Sequence, residues 1–247
     1  MVVAYDGTDF HGFADQPGQP TVAGVLADAI SRIVRRPVEL TCAGRTDAGV
    51  HAWGQVVSVD VPAATDLDQL HRSLLKLCGP RIVVREVAQA ADDFDARFSA
   101  QARTYRYTVL NRAVPDPFLA RTAWHVTRPL EMDLLSLACD PFLGEHDFSA
   151  FCRRPKAAPG EAVPSLVRRV LSAGWSSPAQ DLLLFEITAT AFCHQMVRSV
   201  VGTVVSAGHG EVKAGEIRGI LASGDRANAA PIAPPHGLCL WHVDYGP

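Results

Sequence analysis

The stretch TCAGRTDAGVHAWGQVVSVD (41–60) places a short loop between two strand patterns. The apolar residues that alternate with polar ones just before the loop are Val38, Leu40 and Cys42. After the loop, the valine-rich run 55–59 is typical of a second strand. Gly44 and Gly49 bound the loop and allow backbone angles that other residues avoid. The chain must therefore fold so that two strands present this loop.

Helix and strand patterns alternate through the rest of the chain. Apolar residues at helical spacing, with Thr21 as the first N-cap, predict helices at 22–36, 67–77, 131–143, 192–207 and 216–222. Short apolar or alternating runs predict strands at 2–5, 82–88, 103–110, 167–175, 182–190 and 237–245. This mixture of elements predicts an α+β fold.

The pattern restarts around 94–102, which divides the chain into domains at 1–99 and 100–247. We expect two similar α+β domains with mixed, largely antiparallel sheets flanked by helices and an active-site cleft between them. The Pro-, Gly- and Ala-rich stretch at 153–165 is predicted to be a mobile loop.

Composition is typical of a packed protein without a recognisable cofactor site. Hydrophobic residues make up 48% of the 247 residues, and the net charge is −3. The six cysteines are scattered, the nine histidines lack metal-ligand spacing, and P-loop and dinucleotide motifs are missing. No apolar run approaches the roughly 18 residues of a membrane span, and no signal-peptide pattern follows Met1. We expect a cytoplasmic protein with reduced thiols, no membrane association, no metal and no cofactor.

Asp47 in the glycine-bounded loop has two interpretations. An aspartate in such a loop usually bonds its own backbone and stabilises a turn. Arg45 beside it, and Arg198 far downstream, favour instead an ionised carboxylate held by charge attraction, as a nucleophile requires.

Arg198 lies in the predicted helix AFCHQMVRSVVG (191–202). His194, Arg198 and Gly202 follow each other at four-residue spacing and so share one helix face. That face is either solvated, or Gly202 permits close approach while Arg198 reaches inward to a carboxylate.

Tyr105 and Tyr107 share one face of the strand at 103–110, and we expect Tyr107 to lie in the core. Between Arg97 and Arg128 there are six arginines and one acid, Asp116. A second basic set surrounds the predicted mobile loop and comprises Arg153, Arg154, Lys156, Arg168 and Arg169. Basic stretches with interleaved aromatics favour nucleic-acid contact. A GC-rich genome would also explain why 20 of the 23 basic residues are arginine.

A set of motifs, in order along nearly the whole chain, resembles the tRNA pseudouridine synthase A family. The motifs are AYDGT, TVAGVL, AGRTDAGVHAWGQVV, FDARFSAQARTYRY, GEHDFSAF, FCHQMVRSVVG and GLCLWHVDY. GRTDAGVHA is the most specific of them, and Asp47 occupies its catalytic aspartate position.

The resemblance implies a cofactor-free isomerase that converts uridine to pseudouridine at positions 38, 39 and 40 in the anticodon stem-loop of tRNA. The target uridine is flipped out, its glycosidic bond is cleaved, and C5 rejoins the sugar. Asp47 acts as nucleophile or as base, and Arg198 pairs with it. Arg45 fills the space near the vacated base or contacts the RNA backbone. Tyr105 packs on the uracil, and the enzyme is a homodimer.

Two features depart from the family pattern. Phe13-Ala14 stands where relatives carry Trp-Gln after Gly12, which predicts a weaker contact with RNA. Relatives also have more residues before AYDGT, so we expect that the true start lies upstream of Met1 and that the first strand is truncated.

Two other functions fit parts of the sequence. A non-catalytic tRNA-binding protein would not need the set Arg45, Asp47, Tyr105 and Arg198. An aspartate-nucleophile hydrolase of a small substrate would explain Asp47 but not the arginine-rich stretches.

Overall fold

A computed structural model describes residues 1–154 and 164–246. These residues form two compact units, Met1–Arg103 with Cys239–Pro247, and Thr104–Leu238. The division differs from the predicted 1–99 and 100–247, because the last strand of the chain pairs with a strand of the first unit. Most of the predicted loop at 153–165 lies outside the described residues.

The helices and strands alternate along the chain. The strands are β1 (Val2–Tyr5), β2 (Leu40–Cys42), β3 (His51–Val59), β4 (Ile82–Glu86), β5 (Ala102–Asn111), β6 (Trp124–Val126), β7 (Gly144–Asp147), β8 (Val167–Ala179), β9 (Leu182–Ala189) and β10 (Leu238–Asp244). The helices are α1 (Val22–Val34), α2 (Leu67–Cys78), α3 (Met132–Leu137), α4 (Met196–Gly208) and α5 (Ala214–Ser223). Among the residues that the structure describes, none of the helices has the length and hydropathy of a membrane span.

The sheet of the first unit runs in the order β4, β1, β3, β10, and β2 also pairs with β3. The pairings of β1 with β3 and β4, and of β2 with β3, are antiparallel, whereas β10 runs parallel to β3. Helix α1 begins where the Thr21 hydroxyl accepts a hydrogen bond from the Gly24 N–H, at 3.2 Å. Its buried face, which includes Leu26 and Ile30, contributes to a core with Leu74 of α2.

In the second unit the sheet order is β5, β9, β8, β7, and β6 pairs in parallel with β5. Strands β8 and β9 form an antiparallel hairpin. Four phenylalanines are fully buried in this unit: Phe142, Phe148, Phe151 and Phe185. The α+β fold with mostly antiparallel sheets is thus confirmed.

Two predicted helices have different bounds in the structure. Helix α3 ends at Leu137 and is followed by a 3₁₀ turn at Asp140–Phe142, because Pro141 lacks the N–H that a continuing helix needs. Helix α4 begins at Met196, because Gln195 has a left-handed backbone with φ of 67°. His194 therefore precedes the helix and does not share a helical face with Arg198, contrary to the prediction.

Candidate active site

Asp47 and Arg45 lie on the loop that connects β2 to β3 in the first unit. Arg45 is exposed and Asp47 is half-buried, while Thr46 between them is buried. The alternation of inward and outward residues therefore directs both charged side chains away from the core.

Two buried side chains hold the start of this loop by its carbonyl groups. The guanidinium group of Arg103 donates to the Ala43 carbonyl from Nε and Nη2, at 3.3 and 3.0 Å. The side-chain amide of Gln55 donates to the Gly44 carbonyl at 2.7 Å. Buried carbonyls need such partners, so these two side chains fix the path of the backbone into the loop.

Thr46 is held on both its side chain and its backbone. Its hydroxyl is hydrogen bonded to the Tyr5 hydroxyl at 2.7 Å, and its carbonyl accepts from the Phe13 N–H at 3.1 Å. Gly12, with φ of 92°, lets the chain pass this closely, because a Cβ there would lie 2.8 Å from the Thr46 carbonyl oxygen. The residue directly before Asp47 is therefore fixed.

Phe13 belongs to the core and not to an RNA-facing surface. It is 2% exposed, and its ring centroid lies 6.2 Å from that of Tyr5. The predicted weaker contact with RNA at Phe13-Ala14 stays a prediction, because the burial of Phe13 does not test it. Phe13 packs beside the tyrosine that holds Thr46.

The end of the loop is closed by a turn. The Val50 N–H donates to the Asp47 carbonyl at 3.1 Å, and the Gly49 N–H donates to the Phe10 carbonyl at 3.3 Å. His51 Nδ1 then accepts from the Gly7 N–H at 3.1 Å. Asp47 is thus a turn former through its backbone, and this interpretation is compatible with a chemical role for its side chain.

Tyr105 and Tyr107 lie on β5 of the second unit. Tyr105 is 8% exposed and packs edge-on against Phe192, with ring centroids 5.0 Å apart. Tyr107 is fully buried and donates to the Pro234 carbonyl at 2.8 Å, as expected for a core tyrosine. Burial raises the pKa of Tyr107 well above its ordinary value, and the charge of Arg198 opposes this rise.

Arg198 lies on α4 of the second unit and is half-buried. Its Nε donates to the Ala233 carbonyl at 2.8 Å, and the Ala233 N–H donates to the Arg198 carbonyl at 3.1 Å. Gly202, one turn further, allows this approach, because a Cβ there would collide with the Pro231 carbonyl oxygen. Helix α4 and the segment 231–233 together orient the guanidinium group.

Four of the six arginines in the predicted basic stretch at 97–128 have partners within the protein. Arg106 pairs with Glu186 at 2.7 Å, Arg112 with Asp116 at 3.1 Å, and Arg128 with Glu211 at 3.0 Å. Arg103 is buried on backbone carbonyls. These ion pairs partly neutralise the basic stretch, and its contact with nucleic acid stays a prediction.

The second basic set is also partly engaged. Arg154 Nη2 donates to the Gly224 carbonyl at 3.3 Å, and Arg168 Nη1 donates to the Ser165 carbonyl at 2.9 Å. Lys156 lies outside the described residues.

Cys152 and Cys193 are joined by a disulfide, with Cα atoms 5.9 Å apart. The prediction that all six cysteines are thiols is wrong for this pair, whose separation of 41 residues carries no sequence signal. Within 1–154 and 164–246, no cluster of three His, Cys, Asp or Glu side chains is arranged to hold a metal ion.

Arg103, Gln55 and Tyr5 are the supporting residues that sequence reasoning missed. Gln55 is a polar residue in a valine-rich strand, and Arg103 shares the inward strand face of Tyr105 and Tyr107. A polar side chain at an inward position signals a buried hydrogen-bonding role.

Comparison with known proteins identifies the family. A model of the tRNA pseudouridine synthase family matches residues 1–99 and 138–246. The tRNA pseudouridine synthase A of Brevibacillus brevis is 38% identical over 99% of this chain and 98% of its own length. The corresponding protein of Methylobacterium nodulans is 42% identical over 99% of this chain and 94% of its own length.

Solved structures give a weaker likeness. A chain in the crystal structure of a Cbf5-Nop10-Gar1 complex is 15% identical, with a TM-score of 0.36, over 84% of this chain and 44% of its own length. The sequence relatives are decisive on their own: the chain belongs to the tRNA pseudouridine synthase A family of isomerases.

Proposed function

We propose that this protein converts uridine to pseudouridine at positions 38, 39 and 40 in the anticodon stem-loop of tRNA. The observation that carries the proposal is the Asp47 loop, where buried side chains fix the backbone before the Asp47 carboxylate and backbone hydrogen bonds fix it afterwards. Preorganised reacting groups are what an enzyme needs to favour a transition state.

The reaction begins when the target uridine is flipped out of the stem, because its reacting atoms are inaccessible within a stacked helix. The N1–C1′ bond breaks, the uracil rotates, and C5 bonds to C1′. The C5 proton leaves and N1 regains a proton, so no atoms are gained or lost. Asp47 either attacks the sugar or removes a proton to start cleavage.

The other predicted residues have supporting roles in this proposal. Arg198, oriented by Ala233, is the charge partner of Asp47 and holds its carboxylate in place. Tyr105 packs on the uracil and limits its escape while it is detached. Arg45, which is exposed, occupies the space that the flipped base leaves or contacts the RNA backbone. The enzyme acts as a cytoplasmic homodimer without metal or cofactor.

The direct test uses an unmodified tRNA transcript, purified protein and a buffer without nucleotides or metals other than the Mg²⁺ that folds the tRNA. Pseudouridine is mapped by chemical labelling and primer extension. We expect product at positions 38–40 with the wild type and none with Asp47→Asn, which should bind tRNA with unchanged affinity.

Asp28→Asn is the matched control, because Asp28 is an exposed aspartate on α1 of the same unit. It should leave the product unchanged. Product at other positions, or full product from Asp47→Asn, would contradict the proposal.

A further inference from the structure

Phe98 is a large aromatic side chain that projects into solvent. It is 79% exposed, and the guanidinium carbon of Arg97 lies 5.3 Å from its ring centroid. Isolated exposed hydrophobic residues are common on proteins, so exposure alone assigns nothing. What distinguishes Phe98 is the structure of its turn and the position of that turn.

The turn that carries Phe98 is held by its own hydrogen bonds. The Asp95 carboxylate accepts from the N–H groups of Arg97 and Phe98 at 2.7 and 2.8 Å. Asp95 and Ser99 are joined by two more hydrogen bonds, at 2.9 and 3.0 Å. The backbone beneath the ring is therefore ordered before any ligand arrives, which lowers the entropic cost of binding.

Arg103 ties this turn to the loop that carries Asp47. Its Nη2 donates to the Arg97 carbonyl at 2.6 Å and to the Ala43 carbonyl at 3.0 Å. Ala43, which Arg103 holds, is two residues before Arg45, and Arg97 is directly next to Phe98. The exposed ring, two cations and Asp47 thus belong to neighbouring segments of one unit.

We propose that Phe98 and Arg97 form a stacking site for an unpaired nucleobase of the tRNA substrate, next to the flipped uridine. An exposed aromatic ring beside a guanidinium group is the usual platform for a base, because every base has a π face. Asp92 and Asp93 precede the turn and would repel phosphates, so we assign the contact to the base and not to the RNA backbone. The assignment rests on the function proposed above.

The test compares Phe98→Ala, Phe98→Leu and Phe98→Trp in the full-length protein. The dissociation constant for an unmodified tRNA transcript and the single-turnover rate at saturating protein are measured separately. Loss of one stacked base should weaken binding by roughly 5- to 150-fold in the Ala and Leu variants. The Trp variant should bind within about threefold of wild type, because it keeps a π face.

A 2-aminopurine placed in turn at each anticodon-loop position gives a readout that is independent of activity. One position should show fluorescence quenching on binding to wild type and to Phe98→Trp, but not to Phe98→Leu. Leu77→Ala, which removes an exposed apolar side chain from α2 of the same unit, should change nothing.

Several results would overturn the stacking site. If Phe98→Leu bound tRNA as tightly as the wild type, the contact at Phe98 would be a general apolar one. If Phe98→Ala changed the oligomeric state, Phe98 would belong to a protein–protein contact. Failure of the proposed function itself is distinguishable, because then the wild type makes no pseudouridine. If the wild type makes product and Phe98→Ala binds equally well, only the stacking site is wrong.

Discussion

Thr46, the residue directly before Asp47, is hydrogen bonded to buried residues of the same unit. Its hydroxyl meets the Tyr5 hydroxyl, and the side-chain amide of Gln55 lies 3.5 Å from that same Tyr5 oxygen while donating to the Gly44 carbonyl. A short chain of buried polar groups therefore runs beneath the loop. These hydrogen bonds fix the groups relative to one another, while Gln55 Oε1 has no hydrogen-bond partner among the described residues.

The Tyr5→Phe substitution tests these hydrogen bonds, because it removes only the hydroxyl oxygen of Tyr5. We expect a destabilisation of about 1 kcal/mol, the usual contribution of one hydrogen bond. The single-turnover rate of pseudouridine formation should fall by about tenfold, since small displacements of a reacting group have large kinetic effects. Affinity for tRNA should not change.

Tyr245→Phe is the matched control for this substitution. The Tyr245 hydroxyl donates to the Ala96 carbonyl at 2.7 Å in the same unit, without contact to Thr46. It should cost similar stability, as measured by urea unfolding, but leave the rate within about twofold of wild type. Equal rates for both variants would remove the positioning role of Tyr5.

Helix α4 and the segment 231–233 pack against each other and together hold the Arg198 side chain. Two hydrogen bonds join Arg198 to Ala233, and Gly202 lies directly against the Pro231 carbonyl. This arrangement requires a residue without a side chain on the helix face that meets the segment.

Gly202→Ala should therefore push α4 and the segment apart. We expect a loss of about 1–3 kcal/mol of stability, typical of overpacking, together with a lower kcat.

Gly219→Ala on α5 is the opposite case, because a Cβ there meets nothing within 4 Å. That substitution should stabilise the protein by up to about 1 kcal/mol through helix propensity, with activity unchanged. Unfolding free energies that move in the same direction for both variants would contradict this account.

At the scale of the whole molecule, buried acidic groups predict sensitivity to alkali. Burial raises the pKa of Cys139 to about 12, with Asp140 adding to the rise, and burial also raises the pKa of Cys42, Cys78 and Tyr245. In the unfolded chain the thiols ionise near pH 9. The unfolded state therefore loses protons first, and the free energy of unfolding should fall as the pH rises from about 9 towards 12.

Urea unfolding at pH 8 and pH 10.5 measures this decline. Cys139→Ala should make the decline shallower, because it removes one group that ionises only after unfolding. A free energy of unfolding that is constant or rises over this interval would contradict the expectation.

Local sequence signals predicted most elements and the core position of Tyr107. The Thr21 cap and the apolar spacing of α1 are local, as is the alternation along β5. What local patterns could not predict depends on residues far apart in the chain. The disulfide from Cys152 to Cys193, the ion pair of Arg106 with Glu186 and the pairing of β10 with β3 are of this kind.

In the candidate site, too, local features could be predicted from the sequence and long-range contacts could not. Asp47 stands out because a turn-forming aspartate needs no arginine beside it, and Arg45 is two residues away. The support beneath them comes from Tyr5 and Arg103, which are 42 residues before and 56 residues after Asp47 in the sequence. No local pattern links residues that far apart.

We propose that Asp47 drives replacement of the N1–C1′ bond by a C5–C1′ bond. Release of tritium from tRNA that carries [5-³H]uridine measures this exchange directly, because forming the new bond expels the C5 hydrogen. We predict tritium release by the wild type in proportion to pseudouridine formed, and no release by Asp47→Asn with tRNA binding intact. Absence of release by the folded wild type, or undiminished release by Asp47→Asn, would contradict the account.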